Sequence, residues 1–180
     1  MSKIWLTSDT HFCHDRPFLY EPRGFTNIWD MNKTIVENWN SIVGQDDEVY
    51  HLGDVMLNNN DEGLRCLKQL KGNIHIILGN HDTDTRAPLY ETCWNVVEVA
   101  LAAKLNYNGY HFFLSHYPCM TSNFDVDKPL KQRLISLCGH THTQDKWLDW
   151  TEHPIYHCEL DAHNCYPVSI DQIIQDITNR

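Results

Sequence analysis

Residues 74–82 read IHIILGNHD, a short apolar run that ends in a glycine and three polar residues. The run Ile74–Leu78 predicts a buried strand, and Gly79 marks the turn after it. Two other segments have the same form, an apolar run followed by polar residues: KIWLTSDTH at residues 3–11 and EVYHLGD at residues 48–54. Strands are predicted there at Lys3–Thr7 and Glu48–Leu52. Three predicted strands therefore lead directly into polar residues that are able to bind a ligand or a metal.

Helical patterns separate these strands. Apolar side chains recur at helical spacing over residues 31–43, where Asp30 is the predicted N-cap, and a second helix is predicted over Asp61–Lys71. Each strand–helix–strand connection is long enough to bring the chain back for parallel pairing. The first half of the chain therefore predicts an α/β arrangement that opens with parallel strands.

The second half of the chain changes to a pattern of strands and tight turns. Asn108-Gly109 is a strong two-residue hairpin signal, and SIDQ at Ser169 forms a capping box that begins a last helix. Further strands are predicted at Val96–Leu101, Lys104–Tyr107, Tyr110–Ser115, Ile135–Cys138 and Tyr156–Leu160. The whole pattern predicts one α/β domain over residues 1–180, with two packed mixed sheets flanked by helices.

Composition limits the function classes. The chain has 180 residues, 42% of them hydrophobic and 21% charged, as in a typical folded domain. A net charge of −10 is unfavourable for binding extended nucleic acid. No apolar run approaches the ~20 residues of a membrane span and the N-terminus has no signal-peptide pattern, so we expect a cytoplasmic protein. Seven cysteines without a C-x-x-C pair predict free thiols.

Histidines are abundant, and several of them lie in five short segments that follow predicted strands. The chain has twelve histidines, and imidazole is a common ligand of transition metals. The five segments are Asp9-Thr10-His11, Gly53-Asp54, Gly79-Asn80-His81-Asp82, His116 and Gly139-His140-Thr141-His142. Residues two apart in extended chain point to the same side, and the carboxyl ends of strands in α/β sheets form the usual ligand crevice. We expect the five segments to converge on one site.

The candidate ligands are too many for a single tetrahedral ion. They are Asp9, His11, Asp54, Asn80, His116, His140 and His142. If Asp54 bridges two ions, one ion takes Asp9, His11, Asp54 and His142, and the other takes Asp54, Asn80, His116 and His140. Two-metal sites of this kind stabilise the attacking and leaving oxygens of a displacement at phosphorus. We expect two divalent ions, manganese first, with Fe, Zn, Ni and Co compatible with the same mixed O/N ligands.

The ordered set D-x-H, G-D, G-N-H-D, H and G-H-x-H over residues 9–142 resembles the calcineurin-like metallophosphoesterase superfamily. The segments SDTHFCH (8–14) and VYHLGD (49–54) are most similar to its small bacterial and phage members. The resemblance implies a four-layer α/β/β/α sandwich and the same metal ligands. It also implies attack on a phosphodiester or phosphomonoester by a metal-bridging hydroxide, with His81 protonating the leaving group and Asp82 orienting it.

Three residues in the loop after the first motif are weaker candidates for substrate binding: His14, Arg16 and Arg23. A guanidinium binds phosphate oxygens through paired hydrogen bonds, although a solvated or structural arginine is the alternative at both positions. His14 either faces the site or caps the surface of the loop.

The leading functional hypothesis is hydrolysis of a small phosphate ester or nucleotide. A non-catalytic protein-binding scaffold of the same fold is one alternative, but such relatives typically lose ligand or acid residues that this chain keeps. A nuclease is the other, and the acidic charge disfavours it. The preference between monoester and diester and the oligomeric state stay open.

Overall fold

The computed structural model describes residues 2–121, 127–148 and 155–180. Its strands are β1 (Ile4–Thr7), β2 (Glu48–His51), β3 (Asn73–Ile77), β4 (Val96–Ala100), β5 (Ala103–Tyr107), β6 (Tyr110–Leu114), β7 (Leu134–Cys138), β8 (Ile155–His157) and β9 (Val168–Ser169). Its α-helices are α1 (Pro17–Tyr20), α2 (Ile28–Ile42), α3 (Asn60–Gln69), α4 (Ala87–Tyr90) and α5 (Ile170–Thr178). Two short 3₁₀ helices lie at Leu130–Gln132 and Leu160–His163.

The first sheet has the order β4-β3-β2-β1-β9. Neighbouring strands from β1 to β4 pair in parallel, and β9 pairs with β1 in the antiparallel sense. The predicted parallel opening is therefore confirmed. Because β1, β2 and β3 run in the same direction, the polar segments that follow them leave the sheet at the same edge.

The second sheet has the order β5-β6-β7-β8. Its first two strands form the predicted hairpin, in which Asn108 and Gly109 both adopt positive φ (50° and 79°), as a two-residue turn of this kind requires. The β6–β7 and β7–β8 pairs are parallel, so this sheet is also mixed.

Two hydrophobic clusters hold the layers together. One joins the first sheet to helices α2 and α3, and it includes Trp5 and Val49 from the strands with Ile35 and Trp39 from α2. The other joins the two sheets and includes Leu6 from the first with Phe112 and Leu137 from the second, and α5 adds its isoleucines to this cluster. The predicted class is confirmed as mixed α/β, with two packed mixed sheets and five α-helices in the described residues.

The caps of the long helices differ in part from the predicted ones. Helix α2 begins three residues earlier than expected, because the Asn27 side chain accepts a hydrogen bond from the Asp30 amide at 2.9 Å and is therefore the N-cap in place of Asp30. Asn59 caps α3 in the same way. Ser169 caps α5 as predicted, but the Gln172 side chain donates to Asp176 and does not complete the capping box.

All seven cysteines are free thiols, as predicted. Within the described ranges, no helix is long and apolar enough to cross a membrane.

His51 is a buried core histidine at the end of β2. The Thr10 hydroxyl donates to the Val55 carbonyl, so it accepts a hydrogen bond from His51 Nε2, while His51 Nδ1 accepts one from the Gly53 amide. Both ring nitrogens are thus satisfied in the neutral form. Burial lowers the pKa of His51 to about 4.

We therefore expect the metal-free protein to lose stability between pH 6.5 and pH 4. In this window the unfolded chain protonates His51 and the folded chain does not, so the free energy of unfolding falls by about 1.4 kcal/mol per pH unit for this group. Buried His11 and His14, whose pKa values are lowered to about 4, act in the same direction. Urea unfolding at several pH values measures how steeply the free energy of unfolding depends on pH. His51→Gln should reduce this slope, and an unchanged slope in the variant would show that His51 is not the neutral buried group that we infer.

Candidate metal centre

The structure brings all seven predicted ligands together at the ends of five strands. Asp9 and His11 follow β1, Asp54 follows β2 and Asn80 follows β3. The remaining three come from the second sheet, with His116 after β6, and His140 and His142 after β7. The crevice therefore lies where the carboxyl ends of strands from both sheets meet.

One group of donor atoms surrounds the carboxylate of Asp9. Asp9 Oδ1 lies 3.6 Å from both His11 Nε2 and His142 Nε2, and the two ring nitrogens are 3.1 Å apart. Ligands of a tetrahedral ion with bonds of ~2.1 Å are about 3.4 Å from one another. Asp9 Oδ1 is also buried without a hydrogen-bond partner among the described residues. Because an unpaired buried carboxylate oxygen is costly, its position between two imidazoles fits a bound cation.

The second group of donor atoms surrounds His116. Its Nε2 lies 2.9 Å from Asn80 Oδ1, 3.2 Å from His140 Nδ1 and 3.6 Å from Asp54 Oδ2. Asp54 Oδ2 is also 3.5 Å from His11 Nε2, so this carboxylate lies between the two groups. Asp9 is close to both groups as well, since its donor atom lies within 4.8 Å of those of Asp54 and His116.

Strained backbone is concentrated at these ligands. Positive φ angles occur at Asp9 (59°), His11 (46°), Asp54 (57°), His140 (79°) and His142 (50°). Non-glycine residues in this region cost ~1–3 kcal/mol each and persist only where the surroundings hold them. Here the loops hold one another, because the Asp9 amide donates to the Gly53 carbonyl at 2.9 Å and the His11 amide to the Asp54 carbonyl at 3.0 Å. Such strain is typical of functional sites.

Two glycines allow the loops to approach this closely. A Cβ atom on Gly139 would lie 2.0 Å from Ser8 Oγ and 2.4 Å from Asp9 Oδ2. A Cβ atom on Gly79 would lie 2.3 Å from Asp54 Oδ1. Neither position has space for a side chain, so a glycine before each ligand segment is a steric requirement, as the sequence pattern indicated.

Comparison with known proteins agrees with this geometry. Residues 2–153 match the model of the calcineurin-like phosphoesterase superfamily domain. The chain belongs to the calcineurin-like phosphoesterase superfamily. An uncharacterized protein of Methanocaldococcus jannaschii is 35% identical over 97% of this chain and 91% of its own length. The gene 66 protein of Mycobacterium phage D29 is 30% identical over 98% of both chains.

The fold of this superfamily member is also found in a solved structure. A protein of unknown function from Aquifex aeolicus superposes with a TM-score of 0.75 over 97% of this chain and 99% of its own. The two sequences are 23% identical, so the likeness concerns the fold alone.

Outer contacts orient two of the imidazole rings in this superfamily member. His116 Nδ1 donates to the Leu52 carbonyl at 2.8 Å, which directs Nε2 into the centre. His142 Nδ1 lies 3.1 Å from Asp161 Oδ2 and is fixed in the same manner. Burial opposes ionisation of Asp161, but hydrogen bonds from His142 and Arg23 lower its pKa to about 2. Sequence reasoning missed Asp161, because it belongs to no motif and reaches the site only through the tertiary fold.

Of the three weak candidates for substrate binding, the structure places His14 and Arg23 in contact with ligand residues. His14 is buried, and its Nδ1 lies 3.4 Å from His11 Nδ1. Arg16 is exposed and donates to the Asp15 carbonyl. Arg23 has a side chain that is 1% exposed, and its guanidinium donates to both oxygens of Asp161 and to the Asp9 carbonyl. These contacts correspond to the structural alternative, in which Arg23 holds the first ligand loop.

His81 and Asp82 have different environments. The His81 amide donates to Asp54 Oδ1 at 2.8 Å, and its ring is 39% exposed, with Nε2 4.0 Å from Asp54 Oδ2. Asp82 is buried and accepts hydrogen bonds from the amides of Asp54, Val55 and Gly79 and from the Tyr90 hydroxyl. These contacts fix the turn that carries Asp54, and none of those found among the described residues joins Asp82 to the His81 ring.

Burial favours the neutral form of both central carboxylates, but their net pKa shifts have opposite directions. At Asp54 burial outweighs the attraction of His116, and the pKa is raised. Burial also opposes ionisation of Asp9, but attraction to the neighbouring His11 and His142 rings holds the pKa of Asp9 below its usual range. A divalent cation beside both groups would favour their ionised forms. The residues present therefore fit a metal centre.

Proposed function

We propose that this chain is a metal-dependent hydrolase of phosphate esters that holds two divalent cations, manganese in the first place. The proposal rests on the two groups of donor atoms, one around Asp9 and one around His116. Asp54 Oδ2 lies between them, 3.5 Å from His11 Nε2 in the first group and 3.6 Å from His116 Nε2 in the second. Membership of a phosphoesterase superfamily supports the same reading. The substrate is proposed to be a small phosphate ester or nucleotide.

The roles of the ligands follow from their positions. Asp9, His11 and His142 would hold one cation, Asn80, His116 and His140 the other, and Asp54 both. When bound, the cations supply positive charge to the phosphoryl oxygens and lower the pKa of water at the centre. Asp82 and Asp161 keep the ligand loops in place, Asp82 through the Asp54 turn and Asp161 through His142 and Arg23.

His81 is the residue best placed to donate a proton to the leaving oxygen. Its backbone is fixed beside Asp54, while its ring is partly exposed at the edge of the ligand set. The ring centroid lies 5.4 Å from that of His11. A ring so placed reaches a substrate oxygen without being needed as a ligand.

Neither alternative function is favoured by the site. A protein-binding scaffold has no need for five strained ligand positions, and this chain has them. A nuclease for extended strands needs a basic surface, and the net charge is −10.

The first test is turnover of bis(4-nitrophenyl) phosphate and 4-nitrophenyl phosphate with added Mn²⁺, before and after chelation. We expect turnover that is lost on chelation and restored by metal, with two metal ions per chain by elemental analysis. Because the ligand atoms belong to the folded protein, far-ultraviolet circular dichroism should remain largely unchanged after chelation. Full activity in a metal-free sample, or no turnover with metal bound, would contradict the proposal.

Replacing His81 tests the acid role separately. His81→Ala should keep both metals and cost little on a 4-nitrophenyl ester, because nitrophenolate departs without a proton. With an alkyl ester of the same phosphate, the turnover rate should fall by a factor that approaches the ~10²–10⁴-fold contribution of general acid catalysis. Rate ratios of the variant to the wild type on both esters measure the effect. Loss of metal, or equal slowing of both esters, would show that His81 acts as a ligand or a structural residue.

A further inference from the structure

Two exposed aromatic rings border the metal centre on different flanks. Phe18 is 70% exposed and Tyr117 is 49% exposed. Single exposed apolar side chains are common on protein surfaces. Among the exposed aromatic side chains that the structure describes, these two each lie edge-on against a histidine at the centre.

Phe18 lies on the flank that carries His11 and His81. Its ring meets that of His14 at 85°, with 5.7 Å between the centroids. The His14 ring is in turn 5.2 Å from that of His11 and 5.9 Å from that of His81. The next residue in α1, Leu19, is buried, so the short helix is anchored while Phe18 faces solvent.

Tyr117 lies on the flank of the second donor group. Its ring centroid is 5.1 Å from that of His116 and 4.8 Å from that of His140, in both cases edge-on. The Ser115 hydroxyl donates to the Tyr117 carbonyl at 2.8 Å, which fixes the backbone there. The backbone that carries the ring is therefore fixed, while the ring itself stays half exposed.

The charges around the centre suit a phosphate of low charge. Among the described residues, two guanidinium groups donate to residues of the site, and both are engaged. Arg23 pairs with Asp161, and Arg86 donates to the His81 carbonyl and to Asn60. A phosphomonoester carries up to two negative charges at neutral pH and a phosphodiester only one. Because these arginines are already paired, the metals supply most of the positive charge for the substrate. A phosphodiester, with one negative charge, needs less additional positive charge from the protein than a phosphomonoester does.

We propose that Phe18 and Tyr117 are the two walls of a substrate subsite, and that the centre takes phosphodiesters with a planar ring on each side of phosphorus. The inference rests on the proposed function and names its substrate class. Because His81 lies on the Phe18 flank, the leaving ring stacks against Phe18 and the ring that stays on phosphorus stacks against Tyr117. Aromatic faces of this kind accept a nucleobase or an aryl group.

Two diester substrates distinguish the contribution of Phe18 from that of Tyr117. Bis(4-nitrophenyl) phosphate carries both rings, and methyl 4-nitrophenyl phosphate carries only the leaving ring. Phe18→Ala should raise KM for both substrates by about two- to tenfold, with a smaller effect on kcat. Tyr117→Ala should raise KM by a similar factor for the first substrate and leave it unchanged for the second. Phe18→Tyr and Tyr117→Phe should restore the wild-type KM.

Trp94→Ala is the matched control. Trp94 is 68% exposed and lies before β4, at the opposite edge of the first sheet from the metal centre. Its replacement should leave both KM values unchanged. The inference is overturned if neither wall variant raises KM, or if Tyr117→Ala raises KM equally for both diesters.

A binding measurement keeps this result separate from the proposed function. Saturation-transfer NMR with diphenyl phosphate and the metal-loaded protein should show both rings in contact with the wild type, and a weaker signal with either alanine variant. If the wild type shows ring contact without turnover of any ester, the proposed function fails and the subsite stands. If it shows turnover without ring contact, the subsite fails and the proposed function stands.

Discussion

The structure depends on holding two buried carboxylates, Asp9 and Asp54, among four imidazole rings. In each carboxylate, one oxygen accepts a hydrogen bond from a backbone amide and the other oxygen faces ring nitrogens. Asp9 Oδ2 accepts from the His140 amide at 2.9 Å, and Asp54 Oδ1 accepts from the His81 amide at 2.8 Å. Buried charges of one kind are tolerated only where an opposite charge compensates them. Divalent cations are the compensation that these donor atoms fit.

This constraint explains features of the surrounding loops that would otherwise be costly. The ligands adopt strained backbone conformations, and the strain is held by hydrogen bonds between loops and by carboxylates beneath them. Asp82 gathers three backbone amides under the Asp54 turn, and Arg23 ties Asp161 to the Asp9 carbonyl. The glycines at Gly79 and Gly139 remove the side chains that would separate the loops. The same arrangement leaves His81, Phe18 and Tyr117 at the open rim.

Much of this arrangement was predictable from local sequence, and the remainder was not. Apolar runs that end in D-x-H, G-D or G-N-H-D predict both the strands and the ligands, because strand ends of one sheet must meet at one edge. The N-cap of α2 was misplaced because Asn27 and Asp30 are both good caps, and only the fold decides between them. Asp161 and the buried state of Arg23 were beyond local reasoning, since each depends on a partner more than 100 residues away along the chain. The two aromatic walls were missed because a single exposed ring carries no sequence pattern.

Sharing of Asp54 by two cations, as proposed, is tested by calorimetric titration of Mn²⁺ into the metal-free wild type and into Asp54→Asn. Asparagine keeps the size of the side chain but removes the charge that lies between the donor groups. We expect two ions for the wild type and a loss of affinity at both sites in the variant, with the fold retained by circular dichroism. Retention of one site at wild-type affinity in Asp54→Asn would contradict the shared carboxylate.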